Sequence, residues 1–410
     1  MEKKGLTINI QPQLHQIREP EPPTGPVLFA YGFRPFFILA LGWGAWSMAL
    51  WLMILYGPLE SPGSLPSSWW HGHEMIFGFV GAAAAGFLLT AVTNWTQSKP
   101  LTGIPLMALA GIWLLGRVLM WFAPEGALWI VACVDLSFLF ALIVAVTLPV
   151  IRTRKYHQGV FPALLGLLWV ANLLFHLEWM GITQETSITG MRLGINGILW
   201  LIVVFGGRML PSFTQNALSS LGTGARVRTW PVIEHAATWS MAVVCIVDIF
   251  FQDLWATGIV FVVTAIIHAI RLVGWQPHKT LRQPIIWVLH LGYAWLAAGF
   301  VFRAVAVLTD WIMPATALHA LTVGGFGVTI LGIVTRVSLA HTGRPLNPDR
   351  TMAAMFLLMT VTALLRLDLA PIDYGWAVSF AGIAWVFCFL IFFLKFLPML
   401  SQPRIDGRPG

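Results

Sequence analysis

Long apolar runs without charges constrain this chain more than any other feature of its sequence. Six runs, at 36–56, 76–92, 128–150, 164–179, 255–267 and 376–397, contain few or no charged side chains. They match or approach the about 20 residues that cross a bilayer as a helix. Apolar residues make up 58% of the 410 residues and charged residues only 10%, which is more apolar surface than a soluble core can hide. The chain is predicted to lie within a lipid bilayer.

The same pattern predicts an all-α, polytopic fold of about twelve transmembrane helices. The expected spans are 33–56, 71–93, 104–121, 128–150, 161–181, 191–208, 232–251, 255–274, 284–307, 314–336, 351–368 and 375–397. Continuous apolar runs lack the alternation of a lipid-facing β-barrel. We therefore expect a proline-rich soluble arm over 1–30, a single transmembrane domain over 31–398 and a short tail over 399–410.

Charges in the connections alternate along the chain. One set of connections is basic (Lys99, Arg152, Arg154, Lys155, Arg208, Arg226, Arg228, Lys279, Arg282, Arg344 and Arg350) and the intervening set is acidic (Glu60, Glu125, Glu178, Glu185, Asp253, Asp310 and Asp373). Because basic loops stay in the cytoplasm, both termini are predicted to be cytoplasmic. The net charge of +7 then reflects loops that face anionic lipid, and no nucleic-acid partner is expected.

Ionisable side chains inside hydrocarbon cost several kcal/mol unless something stabilises them, so each one is a functional candidate. The predicted orientation sorts them into an outer layer (His71, His73, Glu74, His176, Glu178 and His319) and an inner layer (Glu234, His235, His268, His290 and His341). A neutral imidazole can ligate haem iron or copper, and arginines pair well with haem propionates. Any single histidine of this kind can instead bond a carbonyl on a neighbouring helix.

The sequence His71-Gly72-His73-Glu74 is the sharpest local signal. Residues two apart on a helix point to nearly opposite sides, so the two histidines are expected to serve different partners. Glu74 lies three residues after His71 and is expected to share its face, where it would orient a ligating imidazole or relay protons. The other interpretation of Glu74 is an acidic residue near the positive end of a helix dipole.

A faint internal repeat connects two of the predicted spans. The spacing His73-x4-Gly78-x2-Gly81 returns as His319-x4-Gly324-x2-Gly327. Glycines at this spacing permit close helix approach or leave room for a flat cofactor beside the backbone. Cys133, Cys245 and Cys388 are isolated within apolar runs, so neither a disulfide framework nor a thiolate metal site is expected.

Four segments, in order, resemble the NnrS family. They read WHGHEM at 70–75, GRMLPSFT at 207–214, WVLHLGY at 287–293, and HALTVG at 319–324 leading to TRVSLAHTGR at 335–344. The resemblance extends from FRPF at 33–36 to the last helices. It implies a bacterial inner-membrane protein of twelve helices that carries haem and copper and is associated with nitric oxide. The sequence has no CxxCH, so the haem is expected to be non-covalent and b-type.

The leading hypothesis is an oxidoreductase that joins two nitric oxide molecules into nitrous oxide, with electrons from a quinol or a cytochrome. The predicted metal ligands are His73 and His319, then His71 and His176, with an inner set of His235, His268, His290 and His341. Glu74 is the predicted proton carrier, and Arg34, Arg208 and Arg336 are predicted propionate partners or structural ion pairs. The alternatives are a non-enzymatic haem protein that binds nitric oxide or protects other metal centres, and a transporter.

Overall fold

A computed structural model describes residues 25–122, 126–309, 311–368 and 370–408, and within these ranges the chain forms helices and turns without a β-strand. Twelve helices are long and apolar enough to cross a membrane, which confirms the predicted class. They are α1 Phe33–Tyr56, α2 Ser67–Thr96, α3 Gly103–Phe122, α4 Leu128–Arg152, α5 Val160–Trp179, α6 Thr186–Ser220, α7 Pro231–Phe250, α8 Trp255–Gly274, α9 Pro284–Leu308, α10 Pro314–His341, α11 Arg350–Asp368 and α12 Tyr374–Ser401. Most of the predicted soluble arm, together with Glu125 and Asp310, lies outside the described residues.

Short 3₁₀ turns and prolines mark the connections. The turns are Val27–Phe29, Pro62–Ser64, Tyr156–Gln158 and Pro277–Thr280. Helices α7, α9 and α10 each begin at a proline. The first helical position suits proline because its φ is already helical and its missing N–H has no partner there in any case.

Consecutive helices alternate in direction, so the connections gather at two ends of the bundle. Trp179 donates to the carbonyl of Gly63 at 3.3 Å and Tyr56 to that of Gly375 at 3.2 Å, which ties the end of α5 and the start of α12 to the α1–α2 connection. We call this the acidic end, because its connections carry the acidic loop residues of the sequence, and the opposite one the basic end. This alternation determines which terminus of each helix lies at the acidic end and which lies at the basic end.

Helices α2, α6 and α10 contact one another, and together with α9 they form the centre of the bundle. In the most apolar window of α2 and of α10, 78% of the residues are buried, against 39% in α1, α3 and α4. The outer helices face lipid with one side, whereas the central helices are surrounded by protein. Helical hydrogen bonding satisfies the backbone polar groups in the helix interiors, as a bilayer requires.

The central helices α2 and α10 share an irregularity at equivalent positions. Each changes to π geometry directly after a histidine, over Glu74–Val80 in α2 and Ala320–Gly327 in α10. The two π segments coincide with the repeated histidine and glycine spacing in the sequence. Neither helix is unwound, so backbone bonding continues through both segments.

Helix α6 is longer than the span expected from the sequence. We predicted an end at Arg208, but the helix continues through Pro211 to Ser220. Leu210, Ala217 and Leu218 are buried, so packing of the extension outweighs the single backbone bond that a proline removes. The sequence pattern alone does not show that packing.

Glycines set the contact between α9 and α10. A Cβ at Gly292 would overlap the side chain of Thr329 and lie 3.0 Å from its backbone nitrogen, and a Cβ at Gly299 would lie 3.1 Å from the nitrogen of Leu321. Because backbone stands opposite both positions, the helices cannot yield locally. Small residues of this kind allow membrane helices to approach closely.

Gly292→Ala is therefore expected to destabilise the bundle by about 1–3 kcal/mol, since a methyl group would be forced against the backbone of α10. Gly111→Ala is the matched control, because nothing lies within 4 Å of a Cβ at that helical position. Thermal unfolding of both variants in detergent is the measurement. Equal midpoints for the two variants would contradict the close contact.

Candidate metal centre

The acidic end of α2 carries the sequence Trp-His-Gly-His-Glu, with His73 and Glu74 completely buried. The change to π geometry begins at Glu74. Gly78 lies within the π segment, and a Cβ there would stand 2.7 Å from Trp43 Nε1 and 2.9 Å from Arg117 Nη1. Glycine thus lets polar groups of α1 and α3 reach the carboxylate of α2.

Glu74 is bonded from several sides. Trp43 Nε1 donates to Oε2 at 2.8 Å, and Arg117 Nη1 lies 2.9 Å from each oxygen. His73 Nδ1 lies 3.0 Å from Oε1. We expected Glu74 to share a face with His71, but the π turn directs it to His73. These partners suit an ionised carboxylate, because charged donors bond it most strongly.

Asp135 of α4 gathers a second set of partners. Arg117 Nη2 pairs with Oδ1. Oδ2 accepts from Asn172 Nδ2 at 2.7 Å, and it also lies 3.0 Å from His176 Nε2 and 3.3 Å from His73 Nε2. Ligand atoms of His73, Asp135 and His176 all lie within 4.8 Å of one another. Helices α2, α4 and α5 therefore bring together a potential set of metal ligands.

The hydrogen positions in this cluster favour a cation between the ligands. If His73 Nδ1 donates its proton to Glu74, its Nε2 presents a lone pair. That lone pair faces Asn172 Oδ1 at 3.0 Å and Asp135 Oδ2, which both act as acceptors because the Asn172 amide donates to Asp135 through its nitrogen. A cation beside Nε2 removes this mismatch, as would a second proton on the imidazole or a proton on Glu74.

The charge of the cluster points the same way. The two carboxylates of Glu74 and Asp135 face the single guanidinium of Arg117, which leaves a net charge of −1 when both histidines are neutral. In hydrocarbon an uncompensated charge is costly. Two imidazoles and a carboxylate are also donors that copper, zinc and iron accept. The residues present therefore fit a bound metal cation.

His71 and His319 form a separate pair at the same end of the bundle. They line a cavity together with Arg366 of α11. The His71 ring stacks on Trp51 with centroids 4.0 Å apart, on the side of α2 opposite to that of His73. The expectation that residues two apart serve different partners is thus matched by the geometry. His73 and His319 occupy equivalent places in the repeat, yet they face different clusters.

The histidines of the basic end have separate surroundings. His268 Nδ1 lies 2.7 Å from the hydroxyl of Tyr293, which also accepts from Arg271. His290 lies between two threonine hydroxyls, at 2.9 and 3.2 Å. His235 is exposed at the start of α7, and the His341 ring lies 5.4 Å from that of Phe33. Among the described residues these four do not form a group of three ligands.

The three arginines predicted to pair with propionates have different partners. Arg34 donates to the carbonyls of Leu400 and Gln402, each at 2.8 Å. Arg208 donates to Gln158 Oε1 and to the carbonyl of His157. Arg336 stacks on Phe213 with its guanidinium carbon 3.7 Å from the ring centre, and it lines a cavity of about 220 Å³ that also contains His341. None of the three reaches the clusters at the acidic end.

The site residues predicted from the sequence did not include Arg117, Asp135, Asn172 or Arg366. Three of these are charged residues within predicted spans, so the cost of intramembrane charge could have identified them. Asn172 lies four residues before His176 and therefore on the same helical face. We weighted histidines because they ligate metals, whereas the structure shows that the carboxylates and guanidinium fix those histidines.

Comparison with known proteins identifies the family. The family model described as NnrS protein matches residues 27–404. The chain belongs to the NnrS family. Membership links this chain to nitric oxide and to a family that commonly carries haem or metal. A search of curated proteins found no match.

Arg117→Met is expected to cost about 3–5 kcal/mol, because it leaves the buried carboxylates of Glu74 and Asp135 without their cation. Arg152→Met is the control, since Arg152 is exposed at the end of α4. Thermal unfolding and the yield of monodisperse protein are the measurements.

Adding Glu74→Gln and Asp135→Asn to Arg117→Met should recover much of the lost stability, because it removes the uncompensated charges. A triple variant no more stable than Arg117→Met alone would show that shape, and not charge balance, holds the cluster together.

Proposed function

We propose that this membrane protein handles nitric oxide at a metal ion held by His73, Asp135 and His176, and that it reduces nitric oxide to nitrous oxide. One observation carries the proposal. Three ligand atoms from three helices lie within 4.8 Å in a cluster of net negative charge. The resemblance to the NnrS family supports copper as this ion and a non-covalent b-type haem as the second cofactor.

The reaction sets the demands on the protein. Two molecules of nitric oxide with two electrons and two protons give one nitrous oxide and one water. A quinol or a cytochrome is the proposed electron donor. The metal, when bound, supplies redox chemistry and a place where charge on the reacting oxygen is stabilised. The chain's own residues must hold the ligands, move protons and exclude bulk water.

Glu74 is the residue proposed to carry protons. Its Oε1 lies 3.0 Å from His73 Nδ1, so a proton can pass between Glu74 and the ring whose other nitrogen faces Asp135. The same bond fixes the orientation of the His73 imidazole, as carboxylates near metal-ligating histidines do. Asn172 positions Asp135 by donating to Oδ2, the oxygen that also faces His73 and His176.

Access to the site requires no polar entrance. Nitric oxide is small and apolar, so it concentrates in the lipid and reaches buried sites between helices. The orientation of the loop charges supports a multi-pass protein of the bacterial inner membrane with both termini in the cytoplasm.

A non-enzymatic role in binding nitric oxide is the second candidate, and one observation favours it. The four carboxylate oxygens of Glu74 and Asp135 already have partners within the protein. A cluster closed in this way can hold a metal without transferring protons during turnover.

His73→Ala and His176→Ala are each expected to lose copper and to slow nitric oxide consumption by at least about tenfold, because each removes a metal ligand. The reduced, purified protein should otherwise deplete nitric oxide over many turnovers under anaerobic conditions and release nitrous oxide. Elemental analysis, an electrode for nitric oxide and gas chromatography measure the three quantities. His278→Ala, at an exposed histidine far along the chain on the α8–α9 connection, is the control.

Stoichiometric uptake without nitrous oxide would favour the binding protein over the reductase. Full copper content in both histidine variants would contradict the metal site itself. Accumulation of a solute in vesicles containing metal-free protein would point to the transporter.

A further inference from the structure

The cavity of the second histidine pair lies at the acidic end, between α1, α2, α10, α11 and α12. His71 and His319 line it from α2 and α10, Arg366 from α11, and Trp51 and Trp385 from α1 and α12. The π-containing helices thus each contribute one imidazole to the same space. The proposed copper ligands His73 and His176 do not line it.

Both imidazoles have a nitrogen available for a ligand. Within the described part of the chain, buried His71 Nδ1 has no hydrogen-bond partner. His319 Nδ1 lies 2.6 Å from the carbonyl of Ala315, so it carries the proton and leaves the Nε2 lone pair free. A neutral imidazole fixed in this way is the form that binds a metal.

The charge in this cavity differs from that of the first cluster. Arg366 is 4% exposed, and its Nη2 donates to the hydroxyl of Tyr374 at 2.9 Å. Its buried Nη1 has no partner among the described residues. Among the described residues, the lining of this cavity contains no carboxylate. A bare metal cation would therefore sit beside an unbalanced guanidinium, which is unfavourable in a medium of low dielectric constant.

A ligand suited to this cavity must bring negative charge, apolar surface and a metal with free coordination positions. Haem has all three, because its two propionates pair with a guanidinium and its flat ring packs on aromatic side chains. We propose that His71 and His319 are the two axial ligands of a b-type haem whose propionate edge faces Arg366. This inference rests on the proposed function for the presence of haem.

The position of Arg366 sets the direction proposed for the propionates. Arg366 lies two residues before the end of α11, and its partner Tyr374 is the first residue of α12. Tyr374 is partly exposed at the acidic end. The charged edge would thus face the membrane surface and the apolar edge would face Trp385 and the bundle interior, which keeps the propionates near water.

Trp51 is the side chain that must move for haem to enter this cavity. The cavity measures only about 20 Å³, and Trp51 lies flat on His71 with an angle of 20° between the rings. Trp51 is only partly buried, and its Nε1 has no partner within the described ranges. Moving the indole therefore breaks no hydrogen bond. A porphyrin ring could take the place of the indole beside the His71 imidazole.

The two proposed sites share a single helix. His71 and His73 project from opposite sides of α2, and a helix with side chains is about 10–12 Å across. The haem and the metal at His73 would therefore be near neighbours. Electrons arriving at the haem would need to pass only across α2 to reach the site proposed for nitric oxide.

The test uses the full-length, haem-loaded protein and the spectra of four variants. Wild-type protein should show the visible and electron paramagnetic resonance spectra of a low-spin, six-coordinate haem. His71→Ala and His319→Ala should each lose haem or convert it to a high-spin form, while copper content stays unchanged. His71→Met and His319→Met should keep haem but shift its spectrum and raise its reduction potential, because a thioether replaces an imidazole.

Arg366 and the first cluster give independent readouts. Arg366→Leu should change the haem reduction potential or lower haem retention, and Arg366→Lys should restore it in part because the positive charge returns. His176→Ala should keep the low-spin spectrum and lose copper. His278→Ala is again the control, and gel filtration checks that each variant is folded.

Low-spin spectra unchanged in both alanine variants of folded protein would overturn the assignment, as would loss of copper in place of haem. A failure of the proposed function can be distinguished from a failure of this haem assignment. If the variants show the expected spectral changes but the protein never consumes nitric oxide, the haem site is supported and the proposed reductase is contradicted. If the folded protein consumes nitric oxide without any haem, the proposed reductase is supported and the haem site is contradicted.

Discussion

The burial of charge among α2, α3 and α4 is the constraint on which the acidic end of this protein depends. Glu74, Arg117 and Asp135 are almost completely buried, so each charge is stabilised mainly by the others and by the neighbouring donors Trp43 and Asn172. Arg117 bridges both carboxylates. The positive charge of Arg117 balances only one of the two carboxylates, so the cluster keeps a net charge of −1. His73 and His176 lie beside this excess negative charge.

Helices α2 and α10 show how one repeated segment supplies two different environments. Both change to π geometry after an equivalent histidine. In α2 the histidine is His73, which meets the carboxylate of α4, whereas in α10 it is His319, which meets Arg366. The additional His71, two residues earlier, gives α2 a second imidazole on its opposite side. That one residue makes α2 a member of both clusters.

The sequence was sufficient for the class of protein but not for the composition of the site. Apolar runs determine where helices lie because hydrocarbon tolerates little else, so twelve spans could be predicted although the α6 end could not. Helical geometry also separated His71 from His73. The pairing of His73 with His176 and of His71 with His319 depends on which helices are neighbours, and no local pattern encodes that. The π turn that directs Glu74 to His73 is likewise set by packing around Gly78.

Opposite net charges at the two histidine clusters explain how one chain can discriminate between two cofactors that both bind imidazole. A metal cation gains from the carboxylates around His73 and is repelled by Arg366, whereas the propionates of a haem are attracted by Arg366 and repelled by Asp135 and Glu74. Ligand identity alone provides no such choice, because histidine binds both. Selectivity then arises from the charged residues beside the imidazoles, one of which, Asp135, is itself a proposed metal ligand, and α2 keeps the two cofactors adjacent while its opposite sides keep them apart.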